Sequence, residues 1–345
     1  MNSFKILSLS LLLLLASCEK RSTKIQEQND QPTNDFTISF GSCNNQYISN
    51  QMWDPILLNK PDLFLWLGDI IYCDTYDMQV MKNSYQKMKN DTNYINFKET
   101  VPVLGTWDDH DYGLNDGGAA YSKKDSVQQI FLDFFDADAN DQRRKQHGIY
   151  FSRAYQIGES WINVIMLDTR YFRSELTQDP EGKKRYIPNT DGKGTMLGEE
   201  QWTWLEEVLT HSKANFNIIV SSIQFLSDQH GFETWGNMPN EVLKMKEVLV
   251  KTKAKGVIIL SGDRHLAEIS KVSVEGMAYP LIDFTSSGMT HSYTSYSGED
   301  NPYRVSEVVS QKNFGILRFD LKKNEVSMEI RGEENQLFQS YIQKY

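Results

Sequence analysis

One recurrence constrains this chain more than any other. An apolar run of strand length stops at a side chain able to bind a cation, move a proton or donate a hydrogen bond. It occurs six times, at Cys43, Asp69, Asp109 with His110, Asp168, Gln224, and Asp263 with His265. The runs themselves are residues 37–40, 63–67, 101–106, 161–167, 218–223 and 257–260. Short runs of this kind read as buried strands. Helical patterns lie among them at residues 52–59, 125–136, 198–212 and 240–255. The second has apolar residues at Val127, Ile130, Phe131, Phe134 and Phe135, which is helical spacing. The third carries Glu199 and Glu200 in its first turn, where the helix dipole favours acids. The fourth is expected to be capped by Asn240 and to stop at Gly256. Closing strands are expected at residues 281–285, 314–320 and 326–330. Strands alternating with helices make an α/β fold, whose ligands gather beyond the carboxyl ends of the strands. One polar strand end is ordinary, whereas six call for a shared site.

The densest of these ends is Trp107-Asp108-Asp109-His110-Asp111. Buried carboxylates must be paired, solvated or bound to metal. Three of them around one imidazole suit hard cations plus a proton donor; taken alone, the stretch also reads as a solvated acidic loop. Gly68-Asp69-Ile70-Ile71-Tyr72 sets a carboxylate and a phenol three residues apart on a turn. Ser261-Gly262-Asp263-Arg264-His265 sets a carboxylate and an imidazole two apart, able to face one cation pair if the loop stays extended. Each piece has a plainer alternative. Cys43 and Cys73 can form a disulfide, Tyr72 can be a half-buried core tyrosine, and Arg170 can be a salt-bridging arginine. A guanidinium beside metals, however, suits phosphate oxygens. His211 fits a helix C-terminus, and His230 and His291 lie in loops able to line a pocket. The Gly- and Asp/Asn-rich residues 115–118 and 189–194 read as loops over a site.

With 345 residues, 39% of them hydrophobic, the chain can bury a large core. A net charge of −10 argues against nucleic-acid binding through a basic surface. Residues 1–17 read as a leader, with Lys5 before an apolar stretch too short to span a bilayer. They end Leu15-Ala16-Ser17-Cys18, similar to a bacterial lipobox in which Cys18 becomes the lipidated N-terminus; a plain secretory signal is the alternative. Residues 18–35 are polar and read as a flexible tether, and residues 36–345 as one catalytic domain. These features lead us to expect the protein outside the cytoplasm, anchored by lipid on the periplasmic or cell-surface side of a bacterial envelope.

Together the pieces Phe40-Gly41-Ser42-Cys43, Gly68-Asp69-Ile70-Ile71-Tyr72, Trp107-Asp108-Asp109-His110-Asp111, Leu167-Asp168-Thr169-Arg170, Ser222-Ile223-Gln224 and Leu260-Ser261-Gly262-Asp263-Arg264-His265 resemble the PhoD-like family of alkaline phosphatases and phosphodiesterases, relatives of the purple acid phosphatases. The resemblance runs from about Phe36 to Ser287. It implies a four-layer αββα metallophosphoesterase sandwich with two mixed β-sheets. The extra N-terminal β-domain of many members is expected to be absent. It further implies that Cys43, Asp69, Tyr72 and His265 hold a first metal, with Tyr72 as a phenolate favouring Fe³⁺. Asp69 would bridge to a second metal held by Asp109 and Asp263, and His110 would face the leaving group. Gln224 stands where purple acid phosphatases have a ligating histidine. That leaves a second site rich in oxygen and suited to Ca²⁺, with Zn²⁺ or Mn²⁺ as alternatives. Arg170 is expected to bind phosphate oxygens, and Asp111 or Asp108 to orient His110. The expected function is metal-dependent hydrolysis of phosphate esters. Its rivals are a phospholipase-like phosphodiesterase of the same fold and a surface lipoprotein that binds a ligand without turnover.

Overall fold

The computed structural model describes Met1 and residues 35–345. The leader, Cys18 and nearly all of the tether lie outside the described residues. Two six-stranded mixed sheets form the centre. The first contains β1 (Phe36–Gly41), β2 (Leu63–Leu67), β3 (Val103–Thr106), β12 (Phe314–Asp320), β13 (Glu325–Arg331) and β14 (Leu337–Lys344), in the order β14-β13-β12-β1-β2-β3. The second contains β4 (Phe151–Ile157), β5 (Ser160–Met166), β8 (Phe216–Val220), β9 (Val257–Ser261), β10 (Ala267–Val272) and β11 (Leu281–Ser286), in the order β10-β11-β9-β8-β5-β4. A separate ribbon joins β6 (Thr177–Gln178) to β7 (Tyr186–Ile187).

The sheets pack face to face through side chains of both, among them Ile38, Phe40 and Leu65 with Val164, Ile218, Leu260 and Phe284. Phe40 meets Phe284 edge-on across this interface, at 4.8 Å between ring centroids. Gly315 makes room for it, because a Cβ there would lie 2.2 Å from the Phe40 ring. The helices α1 (Trp53–Leu57), α2 (Met78–Lys89), α3 (Thr92–Thr100), α4 (Asp109–Tyr112) and α5 (Lys124–Phe134) gather on the outer face of the first sheet over Phe64 and Trp66. The outer face of the second is covered by α6 (Gly198–His211) and α7 (Pro239–Thr252), over Ile165, Ile219 and Ile259. Four layers result, as the resemblance implies. No helix among the described residues is long and apolar enough to cross a membrane.

Several elements depart from the sequence reading. Helices α2 and α3 were not anticipated, although Asp77 accepts from the amides of Gln79 and Val80, and Asp91 from that of Tyr94, which is N-cap chemistry. In α2, Met81, Ser84, Tyr85 and Met88 are buried at helical spacing. Strand β4 was also missed: it is a half-exposed edge, turned onto β5 through Gly158 at φ 60°. Asn240 is not the cap of α7. Pro239 opens that helix, and the Asn240 side chain instead donates to the Gly194 carbonyl. The helix stops at Lys253, in the left-handed region at φ 53°, before Gly256 is reached.

Parallel registers level the functional strand ends. Gly41 pairs with Trp66, and Leu67 with Thr106, which sets Asp69 beside Asp108. In the second sheet Val220 pairs with Leu260, and the Gly262 amide donates to the Ser222 carbonyl. Leu260, fully buried between the sheets, therefore supports both the core and the loop that carries Asp263. Leu260→Ala is expected to cost about 2–5 kcal/mol in urea unfolding. Leu243→Ala, on the exposed side of α7, should stay within about 0.5 kcal/mol.

Candidate metal centre

Every donor of the candidate centre follows the carboxyl end of a parallel strand: Cys43 after β1, Asp69 after β2, Asp108 and Asp109 after β3, and Asp263 and His265 after β9. Four of them, Cys43 (φ 60°), Asp69 (φ 50°), Asp263 (φ 67°) and His265 (φ 55°), occupy the left-handed region. That conformation costs a non-glycine residue roughly 1–2 kcal/mol. The loop after β9 is therefore not extended, the condition under which its two donors would face one cation pair, but reverses at each donor. Gly68 at φ 95° begins the β2 turn, and a Cβ there would lie 2.4 Å from the Asp108 Cβ.

Three overlapping groups of side chains have ligand atoms within 4.8 Å of one another: Cys43, Asp69 and His265; Asp69, Asp109 and His110; and Asp108, Asp109 and Asp263. Asp69 belongs to the first two and Asp109 to the last two. The Tyr72 hydroxyl lies 3.3 Å from Asp69 Oδ2 and 3.0 Å from His265 Nε2, so it points into the cluster rather than into the core. The Cys43 thiol is 3.5 Å from Asp69 Oδ2. Cys43 and Cys73 are both free and buried, so they form no disulfide. Burial raises the Asp69 and Asp263 carboxyls well above the carboxylate range, and repulsion from Asp108 and Asp109 adds to it. Burial likewise raises the Cys43 thiol and the Tyr72 phenol, with nearby acids reinforcing it. Asp69 Oδ1 and Asp108 Oδ2 are buried with no hydrogen-bond partner. Buried oxygens left without a donor are costly, and cations satisfy both them and the mutual repulsion. The donor set therefore fits metal ions. The Cys, Tyr and His side suits a transition metal, and the three-aspartate side a hard cation.

His110 stands over this floor. Its ring lies 4.3 Å from that of Tyr72, and its Nδ1 is 2.9 Å from Asp74 Oδ2. Burial alone would lower its pKa. The Asp74 hydrogen bond and the charges of Asp109 and Asp69 outweigh that and lift it to about 10. Neither Asp111 nor Asp108 orients His110. Asp111 accepts from the amides of Ile70 and Asp108, bracing the Gly68 turn against the start of α4.

Arg170 does not reach the pocket. It is fully buried, with its guanidinium on Asp108 Oδ1 and, at 2.6 Å, on Glu233 Oε2. Glu233 also pairs with Arg173 at 2.8 Å. The cause is Asp168, which accepts from the amides of Arg170, Tyr171 and Ile149 and from the Trp107 indole, turning the loop inward. Arg170 thus anchors Asp108, which also accepts from Ser222 Oγ at 2.8 Å. Gln224 is turned away as well, donating to Glu268 and Thr285.

A cavity of about 260 Å³ opens above the donors, and Asn115, Asp116, Arg185, Phe232, Glu233, Arg264 and Tyr293 complete its wall. Of residues 115–118, Asn115 and Asp116 reach the site, and the Asp116 amide donates to Asp109 Oδ2. Residues 189–194 do not line it; the ribbon supplies Arg185 in their place. His291 packs 4.4 Å from His265 at the rim, whereas His230 bonds to its own loop and His211 to the Glu207 carbonyl of α6. Asp74, Arg264 and the donor role open to Asp108 escaped the sequence reading, because a motif reports which loop a residue occupies and not where its side chain turns.

Fold and centre together define a two-sheet α/β sandwich of the kind found in dimetal phosphatases. Residues 38–330 match the family model for PhoD-like phosphatase, and the chain belongs to that family. Alkaline phosphatase D of Bacillus subtilis (strain 168) is 22% identical over 285 residues, which cover 70% of this chain and 47% of that protein. The chain thus spans about half the length of this curated relative. The solved structure of PhoD superposes with a TM-score of 0.69 at 18% identity, over 90% of this chain and 70% of that one. GAP50, described as the anchor in the inner membrane complex of Plasmodium, gives 0.55 at 12% identity, over 90% and 88%. A dimetal phosphatase from Danio rerio gives 0.51 at 13% identity, over 90% and 99%.

The geometry separates two roles for Arg170. As the buried anchor of Asp108 and Glu233, its loss leaves Asp108 without an ionic partner and Glu233 with Arg173 alone, and Arg170→Met should cost about 3–5 kcal/mol in chemical denaturation. A side chain serving only as a phosphate ligand would leave the stability of the ligand-free protein nearly unchanged.

Proposed function

We propose that this protein hydrolyses phosphate esters at a two-metal centre. The observation that carries the reading is the set of three donor groups joined through Asp69 and Asp109, with two buried carboxylate oxygens left without partners. The fold alone does not carry it, since a protein described as an anchor shares that fold. Cys43, Asp69, Tyr72 and His265 would hold the first ion, and Fe³⁺ suits the phenol. Asp69, Asp109, Asp263 and Asp108 would hold the second, and Ca²⁺ suits four carboxylates, with Zn²⁺ or Mn²⁺ as alternatives. The chemistry that such ions supply when bound is Lewis acidity toward water and the phosphoryl oxygens.

The chain's own residues do the rest. Asp108 is held by Arg170 and Ser222, and Asp109 by the Asp116 and His110 amides, so both carboxylates are oriented before a ligand arrives. With Nδ1 engaged by Asp74, the His110 ring keeps Nε2 for a proton shared with the departing oxygen. Cations bound beside it would lower its pKa from about 10, toward the range in which a general acid works best.

We also propose that the leader directs export and that Cys18 carries lipid, so that hydrolysis takes place outside the cytoplasm. Cys18→Ala should release an active mature domain from the membrane or stall its processing, and a freely soluble, unlipidated wild-type protein would contradict this. Comparing rates on p-nitrophenyl phosphate and bis-p-nitrophenyl phosphate separates a monoesterase from a diesterase.

Leaving-group dependence tests the His110 role. An alkoxide needs a proton, whereas a nitrophenolate needs little help. His110→Asn is expected to slow alkyl phosphates by roughly 10²- to 10⁴-fold and p-nitrophenyl phosphate far less, with metal retained. Equal losses on both would remove His110 from that role, and loss of metal would make it a ligand.

A further inference from the structure

We infer that Arg264, and not Arg170, is the residue of this chain that binds the phosphoryl oxygens of the substrate. The inference rests on the hydrolase reading above, because it assigns a residue of the same cavity.

Two arginines line that cavity along with Asp69, Asp109, His110, Asp263 and His265: Arg185 and Arg264. They differ in how they are held. The Arg185 side chain is 48% exposed and paired with Asp116 at the mouth. A solvated guanidinium on a flexible stem gains little from one more ion pair. The Arg264 side chain is only 7% exposed. Its guanidinium lies 4.3 Å from the centroid of the Phe232 ring, and Nη2 donates to Glu299 Oε1 at 2.7 Å. Glu299 is itself fixed, its amide donating to the Tyr296 hydroxyl. An arginine immobilised in this way has lost its rotamer freedom before any ligand arrives, and its planar fork matches phosphate.

The fork is also incompletely used. Arg264 Nε is buried and has no acceptor, and Nη1 bonds to no acceptor among the described residues. A buried donor without a partner is costly, and a phosphoryl oxygen in the cavity would supply the missing acceptor. Arg170 offers no such capacity, since Asp108 and Glu233 occupy its guanidinium out of reach of the cavity.

The backbone explains how one loop serves both floor and wall. Asp263 and His265 both lie in the left-handed region, and the amide of Arg264 between them donates to the Gly262 carbonyl. This alternation sends the two metal donors toward Asp109 and Tyr72, and the residue between them toward Phe232 and Glu299. Tyr293 closes the wall, its amide donating to the His265 carbonyl at 2.6 Å.

The test is orthophosphate binding by calorimetry, together with p-nitrophenyl phosphate kinetics, on metal-loaded wild type, Arg264→Gln and Arg264→Lys. Metal content and melting temperature are measured alongside. Arg264→Gln is expected to weaken orthophosphate roughly 10- to 100-fold with metal retained, and to lower kcat/KM in step. Arg264→Lys keeps the charge without the fork and should recover only part of the affinity. Orthophosphate bound by Arg264→Gln as tightly as by wild type would overturn the assignment. Should Arg264→Gln fail to fold or lose metal, Arg264→Lys decides alone: weakened binding supports the assignment and unchanged binding overturns it. The hydrolase reading fails separately. A wild type that binds orthophosphate but cleaves no phosphoester sinks that reading and leaves Arg264 to be judged by its variants. A wild type that neither binds nor cleaves sinks both.

Discussion

The structure depends on a repulsion. Asp69, Asp108, Asp109 and Asp263 converge in one buried cluster beside the Cys43 thiol and the Tyr72 phenol. Deprotonated together without a counter-charge, they would drive the two sheets apart, since charges sealed from water interact strongly. The protein answers from two sides. From behind, Arg170 pairs with Asp108, and hydrogen bonds from Ser222 and from the Asp116 amide fix the carboxylates. From the front, oxygens of Asp69 and Asp108 are left without partners. The front is where cations would complete the charge balance.

That arrangement accounts for the strain in the loops. The left-handed conformation of Cys43, Asp69, Asp263 and His265 is unfavourable in each case. It persists because the parallel registers of β1, β2 and β9 level the strand ends, and the sandwich core beneath them over-determines the backbone. Asp111 plays a supporting part by tying the Ile70 and Asp108 amides together, so the β2 turn is braced against the start of α4. The site is thus built on strand termini and short turns, with the longer loops adding only the walls.

Much of this was legible in the sequence. Apolar runs that stop at Cys43, Asp69, Asp109 and Asp263 announce both the strands and the meeting point of their ends, because a parallel sheet leaves its carboxyl ends on one edge. What the pattern does not encode is side-chain direction. Arg170 follows a strand as plainly as Asp263 does, yet the Asp168 cap turns it into the core. Arg264 looks like filler between two donors until backbone reversals on both sides send it to the wall. The partner of His110 was sought among its neighbours Asp108 and Asp111. Packing against Tyr72 instead carries the ring to Asp74, 36 residues away in sequence. Helices α2 and α3 were missed for a different reason. Their Asp77 and Asp91 caps are readable, but their polar faces hid the apolar spacing.

The central claim is that the acid cluster exists to hold metal. The most direct test is elemental analysis of the purified protein combined with unfolding in the presence and absence of a chelator, for wild type and Asp69→Asn. The account predicts about two ions per chain, and lower stability once they are stripped. Asp69→Asn, which weakens the shared donor, should reduce metal content at both positions and leave little for the chelator to remove. A metal-free wild-type protein that is fully stable, hydrolyses phosphate esters and is indifferent to chelation would contradict it.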